Sequence, residues 1–183
     1  AISQAVSRRI ATAYQRDAIV IYPPVEVARF KPAPKRENYY ITVTRLVAHK
    51  RIDILIQAFS KLNLPLLIIG DGPELPRLKN MADPNIQFLG YQSDDKVAEL
   101  LGKARGFVCA TEEDFGIAIV EAQAAGCPVI AYGQGGALET VMDGVTGIFF
   151  HEQSPDCLIA AIQKYESIYS GFRTADLVIN SQK

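Results

Sequence analysis

The sequence predicts an α/β fold, a Rossmann-like three-layer domain built on a parallel sheet of about six strands. One observation is the alternation, after Glu37, of short apolar runs of strand length with amphipathic stretches of helical length. Another is that the connections between them are short, so each parallel crossover is made by a helix. A further one is the single apolar face of Ile52, Leu55, Ile56, Phe59 and Leu62, spaced by three and four residues, which is the face a helix lays on a sheet.

Taken in order, Val6, Ile10 and Ala13 recur at helical spacing within Ser3–Tyr14, with Arg8 and Arg9 on the other side, and predict a short amphipathic helix. Ala18–Tyr22 reads as a strand. Pro23, Pro24, Pro32 and Pro34 then forbid regular structure and predict an extended linker over residues 23–38. Strands are predicted at Tyr39–Thr44, Leu66–Gly70, Ile86–Leu89, Gly106–Ala110, Pro128–Ala131 and Ile148–Phe150. Helices are predicted at Ile52–Leu62, Glu74–Met81, Asp94–Lys103, Gly116–Ala125, Ala137–Met142 and Asp156–Ile168.

Composition narrows the function classes. With 183 residues and 49% hydrophobic content the chain can bury a core without covalent staples. Lys and Arg number 19 against 20 Asp and Glu, a net charge of −1, so no global basic field holds a nucleic acid. Cys109, Cys127 and Cys157 form no Cys-x-x-Cys pair and read as reduced core thiols. No apolar run reaches the ~18 residues of a spanning helix, and the first residues lack a signal-peptide pattern. The expected location is cytoplasmic.

In a parallel sheet of this kind ligands gather at the carboxyl ends of the strands, so the loops there carry the candidate residues. Thr44–Arg51 is cationic: Arg45, Lys50 and Arg51 beside a helix start suit a phosphate, or form a solvated basic loop. Ile68–Glu74 reads as an ordinary helix start with Pro73 and Glu74, and its glycines do not complete a dinucleotide fingerprint. In Thr111–Ala122, the acids Glu112, Glu113 and Asp114 follow a buried strand. Glu113 and Glu121 can share a ligand only if Glu113 sits in a loop folded back over the helix start, which Gly116 permits. A carboxylate in that place accepts from a vicinal diol. Tyr132–Gly136 brings Gly135 and Gly136 to a strand end, either for close backbone approach to a ligand or for a turn needing positive φ.

Together, Arg45 and Lys50, Glu113 and Glu121 around Phe115-Gly116, and Gly135-Gly136 with Glu139 resemble the donor half of the family-4 retaining glycosyltransferases of the two-domain GT-B type. The resemblance extends over most of Tyr39–Tyr165, and Tyr22-Pro23-Pro24-Val25 is similar to that family's interdomain segment. The stretches Arg45–Asp53, Glu121–Ile130 and Gly135–Val141 look most like mannosyltransferases that use GDP-mannose.

The resemblance implies that Arg45 and Lys50 hold the donor's distal phosphate, Glu121 the ribose diol and Glu113 the transferred sugar. It further implies backbone contacts from Phe115, Gly116 and Ile117, with Tyr91 and Gln92 near the base. No metal or other cofactor is implied, because the two cations meet the leaving phosphate. Residues 1–22 are then the tail of an acceptor domain, and residues 39–183 a nucleotide-sugar domain lacking its closing helix. The acceptor, a glycan or lipid-linked sugar, would be bound by the domain not encoded here, and any membrane contact would be peripheral. The chain alone is expected to turn nothing over. Relatives carry a proline near Ala118 and Ile119, and its absence loosens the expected sugar contacts. A sugar-nucleotide epimerase or a non-catalytic nucleotide-binding module would share much of this pattern; release of an altered donor without an acceptor marks the first.

Overall fold

A computed structural model describes all 183 residues. Strands β1 (Tyr40–Val43), β2 (Leu66–Ile69), β3 (Ile86–Gly90), β4 (Gly106–Cys109), β5 (Val129–Tyr132) and β6 (Gly147–Phe150) make one sheet in the order β3-β2-β1-β4-β5-β6. Every pairing is parallel. The helices are α1 (Gln4–Tyr14), α2 (Ile52–Leu62), α3 (Leu75–Met81), α4 (Asp94–Lys103), α5 (Ile117–Ala124), α6 (Ala137–Thr140), α7 (Pro155–Ile168) and α8 (Thr174–Ser181).

The three layers follow from the alternation of side chains along each strand. Tyr40, Ile68, Ile130 and Ile148 point to one face, where they meet Leu55 and Phe59 of α2 and Leu158, Ile162 and Tyr165 of α7. Their neighbours Ile41, Ile69, Val129 and Ala131 point to the other, where they meet Leu101 of α4 and Ile119 and Ala122 of α5. Both faces of the sheet are therefore covered, as an all-parallel sheet requires.

Several elements depart from the sequence reading. Residues 18–22 form no strand: Ile19 and Ile21 are 83% and 74% exposed. Their backbone meets Ala1, through Ile21 N–H to the Ala1 carbonyl at 2.8 Å and the Ala1 ammonium to the Ile19 carbonyl at 2.7 Å, and the Ser7 hydroxyl, which donates to the Ala18 carbonyl at 3.1 Å. An apolar run becomes a strand only where a ladder neighbour is present, and none reaches this one. The helix predicted to Met142 stops at Thr140, whose carbonyl accepts from Gln123 Nε2 at 2.7 Å and Asn180 Nδ2 at 2.9 Å. Helix α8, which the sequence reading did not contain, buries Leu177 and packs on α5.

The proline-rich residues 23–38 contain no strand and no α-helix, yet they lie on the domain. A 3-10 turn at Val27–Arg29 precedes buried Phe30, Glu37 N–H donates to the Lys103 carbonyl at 2.7 Å, and Arg36 donates to the carbonyls of Ala104 and Gly126.

Strand order reverses at β1. The chain leaves β1 into α2 on one face and leaves β4 into α5 on the other, so a crevice opens between the ends of β1 and β4.

Candidate functional site

Two loops wall this crevice. The first, after β1, is held by Leu46, which is fully buried, donates its N–H to the Asp71 carbonyl at 2.9 Å and accepts from Glu74 N–H at 3.1 Å. A 3-10 turn at Ala48–Lys50 follows, and Arg51 takes a left-handed conformation, φ 51°, to enter α2. Thr111 Oγ1 donates to the His49 carbonyl at 3.0 Å and ties this loop to the one after β4.

The second loop runs from Thr111 to Gly116. Glu113 is bridged to Gly135, and Gly136 N–H donates to the Glu113 carbonyl at 2.6 Å. A Cβ on Gly136 would lie 2.4 Å from Phe115 Cα, and one on Gly135 would lie 2.3 Å from the Glu113 carbonyl oxygen. The two glycines thus serve the close approach of two protein backbones, and they shape the site from behind. Gly116, φ 93°, is the residue before α5, and the N–H groups of Ile117 and Ala118 have no partner within the protein. They form a positive helix start opening on the crevice.

The crevice consists of two adjoining clefts. The smaller, about 270 Å³, is lined by Lys50, Glu113, Phe115, Gly116, Ile117 and Ala118 among others. The larger, about 430 Å³, is lined by Arg45, Asp71, Tyr91, Gln92 and Glu121, with Arg29 from the proline-rich segment. Val43 and Thr44 line both, so the clefts meet at the end of β1. Lys50 Nζ lies 2.8 and 2.9 Å from the two Glu113 carboxylate oxygens. Arg45 is exposed and makes no side-chain hydrogen bond or ion pair, so its guanidinium is available.

Most residues singled out in the sequence therefore converge, with differences of placement. Glu113 and Glu121 do not face the same space: each lines its own cleft, on either side of the start of α5. Arg51 turns to Asp53, at 3.3 Å. Glu139 faces neither cleft. Its carboxylate accepts from Gln4 and Ala5 N–H at 2.8 and 2.9 Å, at the start of α1, and from the Tyr22 hydroxyl at 3.2 Å. Thr44 and Asp114, which the sequence placed in candidate loops without giving either a role, line the clefts, and so does Arg29, which sequence reasoning missed. Asp114 is paired with Arg9 of α1. Arg29 carries no sequence signal, because only the 3-10 turn and its pairing with Asp94 bring it to the cleft.

A family model described as glycosyl transferases group 1 matches residues 25–175. The chain belongs to this family. It is 31% identical to a GDP-mannose-dependent alpha-(1-6)-phosphatidylinositol monomannoside mannosyltransferase of Mycolicibacterium smegmatis, over 88% of this chain and 50% of that protein. It is 36% identical to the N-acetyl-alpha-D-glucosaminyl L-malate synthase of Bacillus anthracis, over 61% of this chain and 31% of that one. The chain thus spans 31% to 50% of the length of these relatives. Among solved structures, HepE of Anabaena in complex with UDP and glucose superposes with a TM-score of 0.85 at 25% identity, covering 100% of this chain and 56% of that one. These neighbours are GT-B glycosyltransferases, and the three-layer domain described above has that architecture.

Within this glycosyl transferase domain the electrostatics of the larger cleft centre on Glu121. Burial pushes its carboxyl above the usual carboxylate range, the nearby Asp94 charge adds to the shift, and Arg29 opposes it. It has no hydrogen-bond partner in the protein, so a ligand bearing two adjacent hydroxyls would supply the donors its oxygens lack.

Proposed function

We propose that the two clefts bind a nucleoside diphosphate sugar, and that the longer protein transfers its hexose, mannose being favoured, to a glycan or lipid-linked acceptor with retention of configuration. The observation that carries this reading is the continuity of the clefts through Val43 and Thr44, with positive groups about the junction and a desolvated carboxylate in the larger one. A nucleoside fits the larger cleft, with its ribose diol on Glu121 and its base toward Tyr91 and Gln92. The distal phosphate then lies against Arg45, Lys50 and the N–H groups of Ile117 and Ala118, and the sugar lies in the smaller cleft beside Glu113, Phe115 and Gly116.

In this arrangement the anomeric bond to phosphate lengthens, positive charge develops on the sugar, and the acceptor hydroxyl attacks from the face the phosphate is leaving. Negative charge grows on the phosphate, where Arg45 and the helix start, with Lys50 once it leaves Glu113, meet it. Removing one such preorganised group costs on the order of 10²–10³ in rate. Those groups stand where a metal ion would otherwise neutralise the charge, so we propose metal-independent transfer.

Mannose is favoured by the Mycolicibacterium relative, which matches 88% of the chain, while the HepE complex contains UDP. The acceptor is assigned to the rest of the longer protein, and this chain alone is proposed to bind donor without turnover. No helix is long and apolar enough to cross a membrane. The proposed site of action is cytoplasmic, with any membrane contact peripheral.

Calorimetric titration with GDP, UDP, ADP and their sugar nucleotides, in EDTA, tests the reading. Binding of one base in preference to the others, unchanged by the chelator, is expected. Binding only with a divalent cation, or no binding at millimolar nucleotide in this chain and in a chain of the relatives' full length, contradicts it.

A further inference from the structure

We infer that the Lys50–Glu113 pair discriminates between a sugar nucleotide and the bare nucleoside diphosphate, favouring substrate over spent nucleotide. The inference rests on the donor-site reading above. In the ligand-free chain the ammonium that would meet a phosphate is already held by both oxygens of Glu113, at 2.8 and 2.9 Å. The side chains are 20% and 21% exposed, so most of each lies out of water. Neither has a second charged partner: the next carboxylate on the loop, Asp114, is taken by Arg9, and the other contact of Glu113 is the Cys109 thiol at 3.8 Å.

A phosphate that takes Lys50 displaces the Glu113 carboxylate. The cleft that holds that carboxylate is lined in larger part by apolar residues, Phe107, Ala110 and Ile119 among them, beside the hydroxyls of Thr42, Thr44 and Thr111, and the thiol is a weak donor. A carboxylate left there without its cation incurs a desolvation cost that offsets much of what Lys50 gains from the phosphate. A sugar on the distal phosphate changes the balance. It enters the same cleft, and its hydroxyl groups donate to the released carboxylate. The sugar nucleotide therefore replaces the contact it breaks, whereas the bare diphosphate does not. After transfer the carboxylate loses the sugar and returns to Lys50, which weakens the hold on the spent nucleotide.

The experiment is calorimetric titration of wild type, Glu113→Gln and Glu112→Gln with GDP against GDP-mannose, and UDP against UDP-glucose. Glu112 is exposed on the same loop and lines neither cleft, so its variant reports the general effect of losing one negative charge. The backbone contact from Gly136 to residue 113 does not depend on the side chain, and thermal unfolding checks that Glu113→Gln is folded. The expected result is that Glu113→Gln shifts the ratio of the two dissociation constants about fivefold or more toward the bare diphosphate, equivalent to ~1 kcal/mol, while Glu112→Gln leaves the ratio unchanged. If Glu113→Gln alters both affinities equally, or neither, the pair is no discriminator although the donor site stands. If neither wild type nor a chain of the relatives' full length binds any of the probes, the donor-site reading falls and the inference with it.

Discussion

At the scale of the residue, Glu121 shows most directly how folding prepares a side chain for a ligand. Its carboxyl lies above the usual range chiefly because it is desolvated. A raised carboxyl favours the protonated form in the fold, so its ionisation opposes stability, increasingly so as pH rises from the unfolded to the folded pKa. A diol donates more strongly to the ionised form, so the donor should lower this pKa and its affinity should fall as pH drops through it. Replacing Glu121 by Gln should raise the unfolding temperature at neutral pH, weaken nucleotide binding, and flatten the fall of affinity from neutral to acid pH. Thermal unfolding and calorimetry across that range check all of these. Lys50 and Glu113 were legible as charges following strands. The role of Gly136 was not, because a glycine that lets two backbones touch looks in sequence like one that turns the chain or admits a ligand.

At the scale of the element, α2 and α4 match the predicted Ile52–Leu62 and Asp94–Lys103 to the residue, since each has a clear apolar face and clear ends. Ser93 caps α4 by accepting from Lys96 N–H, and Asn63 closes α2 in a left-handed conformation. Residues 18–22 and α8 were misread or missed because their states are set by neighbours: the absence of a ladder for one, and the surface of α5 for the other. Away from the site, α7 is fastened to the opposite end of the sheet by Glu166, which accepts from Arg105 Nε at 2.6 Å and from the Tyr40 hydroxyl. The Arg105 guanidinium holds the Glu166 carboxyl below its ordinary value. A depressed carboxyl contributes stability above its unfolded pKa and loses it as pH falls through the folded one. Glu166→Gln should therefore cost about 1–2 kcal/mol at neutral pH and progressively less in acid. Denaturant unfolding at neutral and acidic pH measures this, and nucleotide affinity should be unchanged.

At the scale of the whole molecule, the order β3-β2-β1-β4-β5-β6 puts the reversal between β1 and β4, and this alone brings Lys50 and Glu113 within hydrogen-bond distance across 63 residues of sequence. The parallel sheet and its two helical layers were predictable from alternation and short connections. The division of the crevice into two clefts was not, because it depends on how the loops after β1 and β4 lean together through Thr111 and His49. The same topology predicts that ligand binding and fold stability are separable at Arg45, an exposed loop residue with no side-chain partner, and coupled at Lys50, which is paired with Glu113. The direct test is calorimetric titration of wild type and the Arg45→Ala, Lys50→Ala double variant with GDP and UDP, each paired with thermal unfolding. The account predicts at least about a tenfold loss of nucleotide affinity in the variant, as expected for removing charge-assisted phosphate contacts, with a lowered unfolding temperature because Lys50→Ala leaves Glu113 without its cation. Equal affinity in a folded variant would contradict the assignment of this crevice as the donor site.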